Sequence, residues 1–362
     1  MKRIVIVGGG YAGTQVARAL DAVAEVVLVE PKEAFVHNVA AIRAVVDPAW
    51  LDRLILPYDR LLKRGRMLRD RVTAIEGAGV RLEAGGALEG DIVVVATGST
   101  YARPFKAAGD SVAAFRAALL DAHARLVASP SVAIVGAGAV GVELAGEIAA
   151  GMSGKHIDLV SRTATLFPDY TPGLGRRLQR DLAAMGVRVH FGATAEGLGG
   201  IKAPASGPLA IAGGPAIPAD LVFPAIGAKP DASLFAAVEG ATFDRLGRVA
   251  VDGWLRPAGA QSLFALGDMA ASGDFMTIVA ITRQAPWLAK TLKAVVEGRA
   301  LESLPRYAIW PAPPILVPLG PRRGASVLPL GRAGLAVGGL LTSALKGKTL
   351  FEPRYRKEFG LA

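Results

Sequence analysis

Two sets of three glycines carry the first recognisable chemistry of this chain. Gly8, Gly10 and Gly13 stand in the G-x-G-x-x-G spacing after the apolar run RIVIV, and Gly136, Gly138 and Gly141 repeat that spacing after VAIV. Positions without a Cβ allow three things that a dinucleotide site needs: a sharp strand-to-helix turn, backbone in contact with pyrophosphate, and a helix lying close against its strand. The helix that follows offers unpaired N–H groups and a partial positive charge to the phosphates. Some distance beyond the first triplet, Glu30 ends the next apolar run, where a carboxylate accepts from ribose hydroxyls. The second triplet ends differently, at Ser161-Arg162, where a guanidinium can pair with a 2′-phosphate. That pattern favours acceptance of NADPH beside NADH, although a plain surface arginine would look the same. One such triplet is a weak signal, whereas two complete ones point to a protein that holds two dinucleotides at once.

Other reactive side chains are scarce. The chain has no cysteine, which removes disulfides, thiolate metal sites and every redox mechanism based on a cysteine pair. Its four histidines, His37, His123, His156 and His190, are widely separated and show no ligand spacing, so no metal is expected. Glu143, two positions after Gly141, opens a helix; an acid there can serve a reaction or simply answer the helix dipole.

The elements that must hold these residues are legible from hydrophobic period and turn signals. At 362 residues the chain exceeds what one core usually organises. Strand, helix and strand occupy residues 2–30, a helix runs up to Pro48, alternating meander segments follow, and DIVVVATGS returns as a buried strand. A helix over 111–127 leads into a second unit with the same order, which ends at the strand ADLVFPAIGAKP. The strand LFALGD then delivers Asp268 to a strand end, and residues 276–296 form a long helix. The expected fold class is therefore α/β, with two nested Rossmann-like domains. Residues 1–108 and 247–300 make the first, residues 109–246 the second, and residues 301–362 a small C-terminal domain or tail.

Five ordered motifs together resemble the flavoproteins with two dinucleotide-binding domains: GGGYAG with Glu30, ATGS at 96–99, GAGAVGVELAGE, AIGAKP at 225–230, and ALGDMA at 265–270. FVHNVAAIRA and KGKTLFEPRYRKEFG are further similar to the apoptosis-inducing-factor-like ferroptosis suppressor branch, related to type II NADH dehydrogenases. The resemblance implies FAD in the first domain and NADPH or NADH in the second. It places Gly8, Gly10 and Gly13 at the FAD pyrophosphate, Glu30 at its adenosine ribose, Thr97 and Gly98 close to the cofactor, and Asp268 at its ribityl or pyrophosphate region. Gln284 would stand near the flavin pyrimidine edge, with His37 and Asn38 near the isoalloxazine. On the other side, Gly136, Gly138, Gly141, Arg162 and Gly227 would serve NAD(P)H, with Glu143 positioned near the nicotinamide. His37 is the nearest candidate for delivering a proton to an acceptor.

Without cysteine, electrons must leave a reduced flavin directly, and a quinone is the leading acceptor. A ferredoxin-like or oxygenase partner protein is a second possibility, and a redox-sensing interaction protein without turnover a third. Net charge is +10, and beyond Pro305 nine bases face Glu352 and Glu358. Nucleic acid is a poor match for so apolar a segment. Residues 333–345, flanked by Arg332 and Lys346, would suit either a peripheral membrane contact or a packed or dimerising third domain. The expected compartment is the cytosol, with possible attachment to the cytoplasmic membrane face. The run MKRIVIVGGG enters the first strand directly, and Lys2 excludes myristoylation.

Overall fold

The computed structural model describes residues 1–107, 109, 111–198 and 201–361. Strand Arg3–Val7 is buried from its second residue onward because it lies at the centre of a parallel sheet, covered on both faces. Its sheet runs in the order Leu263–Ala265, Ile92–Val95, Arg3–Val7, Glu25–Val29, Arg66–Leu68. Since the chain leaves the central strand in both directions, a crevice opens at its carboxyl end, where open α/β sheets bind ligands. The second sheet repeats this plan with Val187–His190, His156–Val160, Ser131–Val135 and Leu221–Pro224, plus the short antiparallel strand Ala205–Ser206 at its edge.

The two units are interleaved, because the strand Leu263–Ala265 that completes the first sheet follows the whole second sheet in sequence. The two crossings are tied to each other: Thr100 N–H donates to Lys229 O at 2.8 Å, and Lys229 N–H donates to Thr100 O at 3.1 Å. One boundary differs from the sequence reading. Leu234 and Phe235, assigned there to the second unit, are buried with Val72, Ile75 and Val80 in the core of the first. Apolar pattern shows that these residues are inside, but not which sheet they reach after a crossing.

The C-terminal residues form a third packed unit. Strands Ile315–Leu319, Arg323–Leu328 and Leu335–Val337 make an antiparallel sheet that packs on helix Ala139–Gly151. The approach is close, since a Cβ on Gly146 would lie 2.5 Å from Leu319 Cα. A short helix Gly339–Thr342 and a π-helical turn Ser343–Gly347 follow, and helix Glu352–Glu358 then returns to the first unit. There the Tyr355 ring lies 4.9 Å from Tyr11, and Phe359 lies 4.9 Å from Phe35. The expectation of a cationic membrane flank at Lys346 fails, because this side chain is buried within the fold. Among the described residues no helix is long and apolar enough to cross a membrane.

Candidate active site

The first glycine cradle is built by exclusion. Gly8 has a φ of +103°, and a Cβ there would lie 2.7 Å from Ala96 O; a Cβ on Gly13 would lie 1.9 Å from Gly8 O. Turn and helix can therefore close on the strand only with glycine at both positions. Gly10 is the opposite case, since a Cβ there would meet no protein atom within 4 Å. It caps helix Tyr11–Leu20 with no side-chain bond to the free N–H groups, leaving open space where a phosphate would sit. Glu30 is buried, and its Oε2 accepts from Gly9 N–H at 2.7 Å while Oε1 pairs with Lys32. The carboxylate thus fixes the turn beside the groove that Glu30, Thr97 and Gly98 line together.

Further along this groove lie Asp268 and Asn38. Asp268 Oδ2 accepts from Ser99 Oγ at 2.5 Å, with Lys106 Nζ at 3.4 Å. Asn38 lines both the groove and a neighbouring apolar cavity, and its Oδ1 is buried with no hydrogen-bond partner. An orphaned buried acceptor beside an open glycine turn is the arrangement a bound polar cofactor would complete. Gln284 is buried beside the turn that carries Asp268. Its Oε1 accepts from Gly267 N–H at 2.8 Å, and its Nε2 donates to Ser272 Oγ at 2.9 Å and to Asp274 Oδ2 at 2.7 Å. Its amide is thereby committed to bracing the turn that carries Asp268.

His37 is fully buried, with Nδ1 2.8 Å from the Tyr11 hydroxyl and Nε2 2.8 Å from Leu350 O. A carbonyl only accepts, so Nε2 carries the hydrogen and Nδ1 accepts from Tyr11. Burial lowers its pKa to about 4, and the Lys346 charge adds to this against the Leu350 bond. A neutral imidazole with both nitrogens engaged braces the fold between Tyr11 and Leu350. The Tyr11 hydroxyl, which also accepts from Val39 N–H at 3.1 Å, ties the glycine turn to helix Asn38–Val46 and, through His37, to the C-terminal unit.

Glu143 sits on helix Ala139–Gly151 and is buried at the wall of the cavity, where its Oε1 accepts from Lys346 Nζ at 2.6 Å. Burial holds its carboxyl above the ordinary pKa, opposed mainly by the Lys346 ammonium. One helical turn on, Glu147 accepts two bonds from Arg43, at 2.7 and 2.9 Å. Arg43 also donates to Gly347 O at 2.7 Å and to Lys348 O at 3.1 Å. These two buried pairs therefore join the first unit, the second unit and the C-terminal unit, with the Glu143–Lys346 pair at the wall of the cavity. Lys346, Arg43 and Glu147 were invisible as site residues in the sequence. Lys346 lies 203 positions from its partner, and no spacing rule spans that distance.

The cavity encloses about 190 Å³. Tyr11, Val39, Ile42, Phe105, Ile281 and Leu316 give it an apolar wall, and Glu143, Lys346, Lys106 and Asp268 supply its charges. On the second unit, Gly136 and Gly141 reproduce the closures of Gly8 and Gly13, at 2.3 Å from Ala225 O and 1.9 Å from Gly136 O. Gly138 and Gly227 leave open space, as Gly10 does. Arg162 is exposed beside Ser161, whose hydroxyl lies 2.9 Å from the Thr163 hydroxyl. No cluster of three or more His, Cys, Asp or Glu suited to a metal occurs among the described residues.

Comparison with known proteins agrees with this geometry. The chain is 28% identical over 374 residues to apoptosis-inducing factor homolog B of Dictyostelium discoideum, covering 98% of this chain and 96% of that protein. It is 30% identical over 279 residues to ferroptosis suppressor protein 1 of Taeniopygia guttata, covering 74% of each. Among solved structures, the ferredoxin reductase for the CYP199A2 system from Rhodopseudomonas palustris superposes with a TM-score of 0.67 at 20% identity, over 85% of this chain and 78% of that one. The reductase of the covalent putidaredoxin reductase–putidaredoxin complex gives 0.65 at 23% identity, over 94% and 81%. The model of the pyridine nucleotide-disulphide oxidoreductase family matches residues 2–288, so the chain belongs to that family, an FAD-dependent NAD(P)H oxidoreductase that has no cysteine with which to form the disulphide.

Proposed function

We propose that this oxidoreductase passes electrons from NAD(P)H through FAD to a quinone-type small molecule. The observation that carries the proposal is the apolar cavity beside the glycine-walled groove, with the Glu143–Lys346 pair in its wall. FAD, when bound, would supply acceptance of hydride from the nicotinamide and passage of electrons to the acceptor. Everything else is the work of the chain's residues. Gly8, Gly10 and Gly13 shape the pyrophosphate cradle, Glu30 fixes its turn, and Thr97, Gly98, Asn38 and Asp268 line the path toward the cavity. Glu143, restrained by Lys346, orients the nicotinamide, while Ile42, Phe105, Ile281 and Leu316 keep water from the ring faces. Gly136, Gly138, Gly141 and Gly227 form the second cradle, and Arg162 meets a 2′-phosphate.

Anaerobic reduction of the FAD-loaded chain by NADPH, followed by a panel of benzoquinones, naphthoquinones, a ferredoxin and oxygen, tests this reading. Rapid reoxidation by quinones is expected. A salt-sensitive preference for the ferredoxin would replace it with the protein-carrier reading, and absence of bleaching by NAD(P)H would refute turnover altogether. For Arg162, replacement by Ala should lower the NADPH:NADH ratio of kcat/KM about tenfold, corresponding to about 1.4 kcal/mol of lost phosphate pairing. An unchanged ratio returns Arg162 to an ordinary surface role.

The reading extends to a peripheral lipid contact for the C-terminal unit. Leu340 is 93% exposed, and Leu330, Leu335, Leu341 and Leu345 are exposed in the same C-terminal unit, as are Arg322, Arg323 and Arg332. Exposed leucines and arginines gathered in one small unit suit an anionic membrane surface. Co-sedimentation with phosphatidylserine vesicles that is lost in Leu340→Ser is expected. Equal sedimentation with neutral and anionic vesicles, or with none, would count against it.

A further inference from the structure

Lys106 stands on the first crossing between the units, outside every motif that marks the cofactor sites, yet it lines both the apolar cavity and the glycine-walled groove. Its Nζ donates to Ser99 Oγ at 2.8 Å and to Ser99 O at 3.1 Å, and lies 3.4 Å from Asp268 Oδ2. Ser99 Oγ in turn donates to the same Asp268 oxygen at 2.5 Å. An ammonium has three N–H groups. Two are satisfied here by Ser99, while the third spans a distance longer than an ordinary hydrogen bond. The other cavity lysine is different, since Lys346 is held at 2.6 Å by Glu143 with both side chains buried. Lys106 is more open, at 26% exposure, and its hold on Asp268 is looser.

Asp268 and Ser99 follow neighbouring strands of the first sheet, Leu263–Ala265 and Ile92–Val95, at the end where its crevice opens. A cofactor hydroxyl donating to Asp268 would compete with the weak Lys106 contact, while the Ser99 bond to Oδ2 could persist. Lys106 would then stay anchored on Ser99 with one donor free at the junction of groove and cavity. Hydride transfer brings two electrons and one proton, so NAD(P)H leaves as NAD(P)⁺ and the flavin gains one negative charge. A cation held nearby in a partly desolvated cavity stabilises that charge more than it would in water.

We infer that Lys106 is a positioning and electrostatic residue for FAD, presetting Ser99 and through it Asp268 before the cofactor binds, and raising the reduction potential of the flavin once it is bound. The inference rests on the assignment of FAD to the groove and cavity. It is tested on the full-length FAD-loaded chain with Lys106→Met and Lys106→Arg, measuring the flavin midpoint potential by dye equilibration and FAD affinity by fluorescence. Lys106→Met should lower the reduced-to-oxidised ratio at a fixed poise about tenfold, about 30 mV for a two-electron couple, and should weaken FAD binding. Lys106→Arg, which keeps the charge, should restore the potential to near the wild-type value. An unmoved potential in Lys106→Met, or an equal fall in Lys106→Arg, overturns the inference. If Lys106→Met does not fold, Lys106→Gln set against Lys106→Arg makes the same comparison. A wild-type chain that takes up no flavin refutes the cofactor assignment and the inference together, whereas normal uptake with an unmoved potential refutes the inference alone.

Discussion

Replacing His37 separates its structural role from the acid–base role that its residue type suggests. Buried between the Tyr11 hydroxyl and Leu350 O, the ring has its pKa lowered to about 4 by burial, against an ordinary value of 6.5. The unfolded chain therefore binds this proton more readily than the folded one. Its contribution to stability is complete above about pH 6.5 and is lost as pH falls toward about 4. Integrating between pH 7 and pH 5 gives about 2 kcal/mol of acid destabilisation from this one ring. Urea unfolding of wild type and His37→Gln with equal FAD loading, at pH 7 and at pH 5, reads the difference. The variant should be less stable at pH 7, because Tyr11 loses its acceptor, yet should lose about 2 kcal/mol less on acidification. Reoxidation of the reduced flavin by quinone should slow only modestly in the variant. Equal acid sensitivity of the two proteins refutes the buried neutral ring, and a collapse of the reoxidation rate would restore His37 as a proton donor.

Two further outcomes test the cradle and the junction of the units. Gly13→Ala puts a Cβ 1.9 Å from Gly8 O and should abolish both folding and flavin uptake, whereas Gly10→Ala meets no protein atom and should fold normally. In Gly10→Ala the added methyl faces the cofactor, so FAD affinity should fall about tenfold or more, about 1.4 kcal/mol; unchanged affinity would remove the pyrophosphate from this groove. Arg43→Met leaves Glu147 buried without its partner and should cost about 3–5 kcal/mol of stability, most of it regained in the double variant Arg43→Met with Glu147→Met. If denaturant unfolding shows the double variant no better than the single one, that pair does not organise the junction.

The chain's local pattern was enough to establish two cradles, and the reason is local physics. Each glycine triplet is a short-range steric requirement, met by a strand, turn and helix contiguous in sequence, so Gly8, Gly13, Gly136 and Gly141 announce themselves. Absence of cysteine was equally plain, and with it the loss of disulphide chemistry. Contacts between segments distant in sequence could not be read that way. Lys346 looked like the cationic edge of an apolar surface segment, and only the packing of the C-terminal sheet against helix Ala139–Gly151 brings its ammonium 2.6 Å from Glu143. Likewise the burial of His37 beside Leu350 O could not be read from its residue type, and Leu234 with Phe235 went to the other core. Burial and charge pairing are properties of the assembled interior, and they decided which of the polar residues line the cavity and which hold the three units together.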